Sequence, residues 1–147
     1  MTIAMNKLQF QVKGLPVPVG SYTPRQRKDG SLFLLRMNSS GAKAWRRAVL
    51  AAAMDAIALT NWPKQNETAD YTISLSFLLP KPKSVKRAQP TVKPDIDKLC
   101  RGTLDALTQA GAIQDDARVT QLIACKTYAA DGEQSGADIT IINNTEE

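Results

Sequence analysis

The most regular hydrophobic alternation in the chain runs through residues 71–79, YTISLSFLL, where Ile73, Leu75, Phe77 and Leu79 fall on one side and Thr72, Ser74 and Ser76 on the other. A period of two sends alternate side chains to opposite faces of a pleated strand, so this segment predicts a strand packed on a core by one face. Residues 7–13 behave alike, with Leu8, Phe10 and Val12 together, and predict a second half-buried strand. Residues 31–36, SLFLLR, predict another, and the Asp29-Gly30 pair before them is a hairpin-turn signal at the end of the basic stretch 22–30. The period then changes. After Ser39 or Ser40, either of which suits a helix cap, Trp45, Ala48, Val49, Ala52, Ala56 and Leu59 recur near helical spacing and predict a helix to about Leu59. A second helix is expected from Lys98 to about Ala110, capped by Asp97, ended by Gly111, and buried along Ile96, Leu99, Cys100, Thr103, Leu104 and Leu107. Residues 118–128 and 137–142 predict two final strands, expected to be neighbours. Residues 60–70 predict a loop, residues 80–94 an extended loop rich in proline and basic side chains, and residues 143–147 a frayed tail. The element order, β-β-α-β-α-β-β, predicts an α+β fold in which residues 1–147 form a single small domain with a mixed β-sheet and two main helices.

Charge changes this picture first. The formal net charge is +5 and the isoelectric point is near 9.4, a balance that attracts polyanions. No apolar run is long enough to span a membrane, and no basic start leads into an apolar core, so neither a membrane anchor nor a signal peptide is expected. Cys100 and Cys125 stand far apart and suggest reduced side chains in a cytoplasmic setting. The chain contains no histidine, which excludes imidazole acid-base catalysis and His-ligated zinc. Any metal site must therefore be built from oxygen ligands, which select hard cations such as Mg²⁺ or Mn²⁺.

The carboxylates then stand out against the basic background. Asp95 and Asp97 are two residues apart after Pro94, and an extended backbone there sends both to one side. Asp115-Asp116 follows Gly111 on the far side of the second helix. Phosphodiester hydrolysis needs an activated water and relief of charge on the leaving oxygen, and one or two Mg²⁺ ions held by two or three aspartates supply both. Taken singly, each residue also suits a plain role: a cap for Asp97, turns for Asp115 and Asp116, and a solvated charge or ion-pair partner for Asp105. Lys81, Lys83, Lys86, Arg87 and Lys93 lead directly into Asp95, and Arg25 and Arg27 form a second patch beside Lys28. Both patches suit either phosphate neutralisation or a solvated surface. No stretch interleaves aromatic with basic residues, so backbone and shape recognition are expected rather than base reading.

The run Lys93-Pro94-Asp95-Ile96-Asp97-Lys98, then Arg101, then Leu104-Asp105-Ala106-Leu107, then Asp115-Asp116-Ala117-Arg118-Val119, resembles the RusA family of Holliday junction resolvases of bacteria and their phages. The resemblance extends to the first strand, Pro16-Val17-Pro18, the strand 71–79 and the loop after it. It implies a RusA-like fold and an Mg²⁺-dependent endodeoxyribonuclease, with Mn²⁺ a possible substitute, acting as a homodimer on four-way DNA junctions in recombination and repair. Asp95, Asp97 and Asp116 would be catalytic and bind the metal, with Asp115 assisting. On charge rather than on the resemblance, Lys81, Lys83, Lys86, Arg87, Lys93, Lys98, Arg25 and Arg27 are the candidate DNA contacts. The setting would be the cytoplasm of a bacterium or of a phage-infected host. Two residues depart from the family pattern: Lys98 replaces the usual asparagine, and Arg101 stands where a catalytic lysine is usual. Arginine stays cationic and clamps phosphate but does not donate a proton as lysine can. Two further readings stay open: a junction-binding protein with weak or lost catalysis, and a less selective nuclease for flaps or single strands.

Overall fold

The computed structural model describes residues 6–20, 22–36 and 39–145. In chain order the elements are β1 (Lys7–Lys13), β2 (Tyr22–Gln26), β3 (Leu32–Arg36), α1 (Ser40–Thr60), β4 (Tyr71–Leu79), α2 (Ile96–Ala110), a single 3₁₀ turn (Asp116–Arg118), β5 (Val119–Tyr128) and β6 (Gly136–Asn143). Four strands form a mixed sheet in the order β1-β6-β4-β5, with β4 and β5 parallel and the other pairs antiparallel. The expected α+β architecture, a small domain with two main helices and a mixed sheet, is what the chain adopts. Among the described residues no helix is long and apolar enough to cross a membrane.

The alternation in β4 reads directly as packing. Tyr71, Ile73, Leu75, Phe77 and Leu79 are buried, while the residues between them are half-buried on the opposite face. Leu8 and Val12 of β1 and Ile139 and Ile141 of β6 continue the buried face. Trp45, Val49 and Ala53 of α1 and Leu99, Ala106 and Leu107 of α2 cover it. Each large aliphatic or aromatic side chain withdrawn from water there contributes about 1.5–3 kcal/mol. Trp45 is buried in this core.

Three features differ from the sequence reading. First, β5 and β6 are not neighbours. The segment β4–α2–β5 is a crossover unit, which sets β5 parallel to β4 on its outer edge. The chain then passes the end of β4, where the Ala129 amide donates to the Leu79 carbonyl at 2.8 Å, and β6 inserts between β1 and β4. Second, the hairpin has two strands, β2 and β3, around the Asp29-Gly30 turn, giving one strand more than expected; Asp29 accepts from the Ser31 amide at 2.9 Å and from its hydroxyl at 2.6 Å. Third, the tail is tied down from Asn143 to Thr145: Asn143 belongs to β6, and the amide of Asn144 donates to the Asp70 carbonyl at 2.9 Å. The remainder of that expected frayed segment, 146–147, lies outside the described residues.

The helix ends obey capping chemistry. Of the two candidate serines, Ser39 is the cap and Ser40 the first helical residue, and the Ser39 hydroxyl accepts from the Ala42 amide at 3.1 Å. At α2 the cap position falls on Asp95, with extended backbone, and its carbonyl accepts from the Leu99 amide at 3.1 Å. Asp97, expected as the cap, lies two residues further on, in the first turn, where its charge faces the positive end of the helix. Gly111 closes α2 in the left-handed region at φ 81°, as expected of a glycine there.

Candidate functional site

The segment leading into α2 is held from below by a side chain of β5. Lys126 stands on the inward-facing side of that strand with Leu122 and Ala124, and its Nζ donates to the carbonyls of Val92 at 2.7 Å and Pro94 at 2.8 Å. These two bonds fix the backbone on the approach to Asp95. Asp95 itself lines a groove of about 420 Å³ with Pro18, Val19, Lys93, Pro94 and Lys98, and the Lys98 ammonium lies 3.7 Å from its carboxylate.

Asp97 and Arg101, one helical turn apart, face a second and wider cleft of about 520 Å³ between α2 and β5. Asp116 enters this cleft from the 3₁₀ turn, and Leu104, Leu122 and Ala124 form its apolar floor. The turn carrying Asp115 and Asp116 is braced by two core aromatics. Trp62 donates its indole N–H to the Ala112 carbonyl at 2.9 Å, and the Gln114 amide donates to the Tyr71 hydroxyl at 3.0 Å. That hydroxyl in turn donates to Gln65 at 2.7 Å, and burial pushes its pKa up.

Electrostatically the cleft is loaded with like charge. The Asp116 carboxyl is raised above the ordinary aspartate range by its hydrogen bond with the Asp115 side chain, then by partial burial and the charges of Asp115 and Asp105. The Cys100 thiol is pushed up by burial and by the nearby Asp97 charge, which leaves it protonated and unsuited to nucleophilic work. Of the four expected acidic residues, Asp97 and Asp116 share the cleft, Asp115 adjoins Asp116, and Asp95 opens to the adjoining groove. Among the described residues, no three acidic or cysteine side chains stand close enough together to hold a metal ion.

The family model described as Endodeoxyribonuclease RusA matches residues 16–141. The chain belongs to the RusA family. The matched span runs from the Pro16-Val17-Pro18 segment to the middle of β6 and takes in both grooves. As a RusA-family protein the chain is an endodeoxyribonuclease, an enzyme that breaks phosphodiester bonds within DNA. No individual curated protein matches it by sequence.

The basic residues distribute unevenly around this RusA site. Lys93 and Lys98 border the Asp95 groove. Arg87 and Lys93 border a proline-walled cavity next to it, and the Lys81 ammonium lies 5.7 Å from the ring centre of Tyr128, another wall of that cavity. Lys83 and Lys86 are exposed on the same loop. Arg25 and Arg27 stand apart from these on the β2–β3 hairpin, and the Arg27 guanidinium lies 4.4 Å over the Phe33 ring. Sequence reasoning missed Lys126, whose partners are main-chain carbonyls distant in sequence. It also missed a basic face on α1, where Lys43, Arg46 and Arg47 share one surface, with Arg46 donating to the Gln109 side chain at 3.2 and 3.0 Å.

Proposed function

We propose that this endodeoxyribonuclease resolves four-way DNA junctions by paired phosphodiester hydrolysis, with Mg²⁺ as its ion and Mn²⁺ as a substitute. The observation that carries this reading is the cleft shared by Asp97, Arg101 and Asp116 at the start of α2. The carboxylates facing it, Asp97 and Asp116, are hard oxygen donors, and the Cys100 thiol beside them stays protonated. The charges of Asp115 and Asp105, which add to the Asp115 hydrogen bond and burial in raising Asp116, are what a hard divalent cation relieves, so the chemistry of these two donors suits such an ion. Asp97 and Asp116 would hold it, with Asp115 and Asp95 beside them. When bound, the ion supplies an activated water and neutralises charge on the phosphate. Arg101, always cationic, is the group placed to stabilise the charge that grows on the scissile phosphate. The free amides at the start of α2 favour phosphate oxygens nearby, and Lys93, Lys98 and the loop before them draw the DNA backbone in.

A four-way junction has approximate two-fold symmetry and needs two opposed cuts, so a two-fold homodimer matches it. The outer edge of β5 supports that assembly: among the described residues it pairs with no strand, and Ile123, on the face away from the cleft, is exposed beside it. The test is cleavage of labelled junction, flap and linear duplex, each with and without Mg²⁺, by the wild type and by Asp97→Asn. Selective, Mg²⁺-dependent junction cutting that is lost in Asp97→Asn, with junction binding retained, supports the reading. Equal cutting of flaps would mark a less selective nuclease, and junction binding without cutting a protein that has lost catalysis.

A further inference from the structure

The mostly apolar cavity next to the Asp95 groove has no role in the chemistry described so far. It measures about 350 Å³, at the small end of the roughly 300–1,000 Å³ typical of ligand pockets. Pro16 and Pro18 form one wall, Pro80 and Pro82 another, and Tyr128 contributes an aromatic ring. Arg87 and Lys93 bring positive charge to this lining, the Lys81 ammonium lies by the Tyr128 ring, and among the described residues no carboxylate lines the cavity. It adjoins the Asp95 groove directly, because Pro18, Lys93 and Pro94 line both.

A ligand for this place must be flat or compact and apolar, must carry negative charge next to its apolar part, and must lie beside a strand of DNA passing Asp95. Apolar peptides meet the first requirement and lack the charge. A nucleotide whose base has left the stack meets all of them: its planar base packs on proline and tyrosine surfaces while its phosphate meets Arg87 and Lys93. We infer that this cavity receives one unstacked nucleobase of the bound DNA, a near neighbour of the strand lying along the Asp95 groove. This rests on the junction reading above, since bases at a crossover are the ones most cheaply unstacked. The walls offer ring and methylene surfaces more than fixed donors, so the cavity takes a base by shape and not by its edge.

The test uses four-way junctions with one unpaired nucleotide beside the crossover, either carrying adenine or abasic, and measures affinity with Ca²⁺ in place of Mg²⁺. The wild type is expected to bind the adenine-bearing junction about tenfold more tightly, within the range of one base stacked on protein. Val92 is half-exposed on the cavity wall, so Val92→Trp fills the space from the solvent side. It should erase the preference while binding the abasic junction as the wild type does. Tyr128→Leu, which removes the ring and keeps bulk, should reduce the preference and guards against a folding defect in the first variant. 2-Aminopurine at the unpaired position should change emission on binding to wild type and not to Val92→Trp. An equal preference in wild type and both variants would overturn the assignment while leaving junction recognition intact. A change in oligomeric state of Val92→Trp by sedimentation would make the cavity a subunit interface and overturn it as well. If wild type fails to prefer any junction over linear duplex, the junction reading falls and the base site with it.

Discussion

Replacing Lys126 by methionine isolates what two hydrogen bonds do for the start of α2. Methionine keeps an unbranched apolar stem, so packing under the loop changes little and the loss is confined to the ammonium. A hydrogen bond to a charged donor contributes about 1.5–3 kcal/mol when sheltered. The bond to Pro94, 2.8 Å and partly buried, belongs near the low end of that range, and the bond to Val92, 2.7 Å but exposed, contributes about 0.5 kcal/mol after solvent screening. The sum, about 2 kcal/mol, lowers Tm by about 4–8 °C in a chain of this size. The effect on turnover should be larger in proportion, because Asp95 follows directly on the released backbone and a displacement on the order of 1 Å at a reacting site costs about a hundredfold. Lys126→Arg, which keeps the charge and the donors, should recover much of both. Calorimetric unfolding and single-turnover junction cleavage at saturating protein give the two readouts. A Lys126→Met variant with unchanged Tm and an unchanged cleavage rate would refute the reasoning, and an unchanged Tm with a slow rate would confine the role of Lys126 to alignment.

Three further outcomes follow from the site. Asp116→Asn should abolish cleavage yet raise Tm slightly in metal-free buffer at neutral pH, on the order of 1–2 °C, because an ionised carboxylate crowded by Asp115 and Asp105 is removed. Since the folded carboxyl titrates above its unfolded counterpart, its destabilising charge is present above that raised pKa and relieved as pH falls through it, so the gain in Tm should vanish in acid; Mg²⁺ should raise the Tm of the wild type and not of this variant. Arg101→Ala should slow single-turnover cleavage by about a hundredfold or more with junction affinity little changed, while Arg101→Lys retains activity; a fully active alanine variant would leave the guanidinium with no part in the reaction. Replacing Lys83, Lys86 and Arg87 together by alanine should reduce the slope of log affinity against log salt by about 0.9 for each phosphate no longer neutralised, measured on junction arms, and an unchanged slope would send the DNA over the hairpin bearing Arg25 and Arg27 or over the α1 face of Lys43, Arg46 and Arg47.

How far the sequence alone leads depends on how one-sided each element is. β4 was legible because a single buried face imposes strict alternation, and α1 because its apolar stripe begins at a serine cap. β5 is an edge strand with most of its first half exposed, so its pattern says little about its partner, and nearness in sequence suggested β6 when the crossover through α2 had already committed it to β4. Asp97, the expected cap, loses that position to Asp95 because the backbone after Pro94 is already helical at Ile96, which the residue pattern does not reveal. The acidic motif pointed to one site; the fold divides it between two adjoining grooves. Lys126 went unread because its partners are carbonyls in a loop far away in sequence, and main-chain acceptors leave no mark in a residue pattern.

The insertion of β6 between β1 and β4 has a consequence for how the chain comes into being. Lys7 pairs with Ile142, and Leu75 pairs with Ile139, so two strands share a partner that leaves the ribosome after both of them and after both helices. Until Gly136 emerges, β1 has no sheet to join, and β4, even once β5 has paired with it, presents an open edge. Closing so distant a pairing is slow compared with forming α1 or the β2–β3 hairpin. A nascent chain halted before Gly136 would therefore hold both helices, a preformed hairpin and a bare β4–β5 pair, with β1 still waiting for the strand that joins it to them.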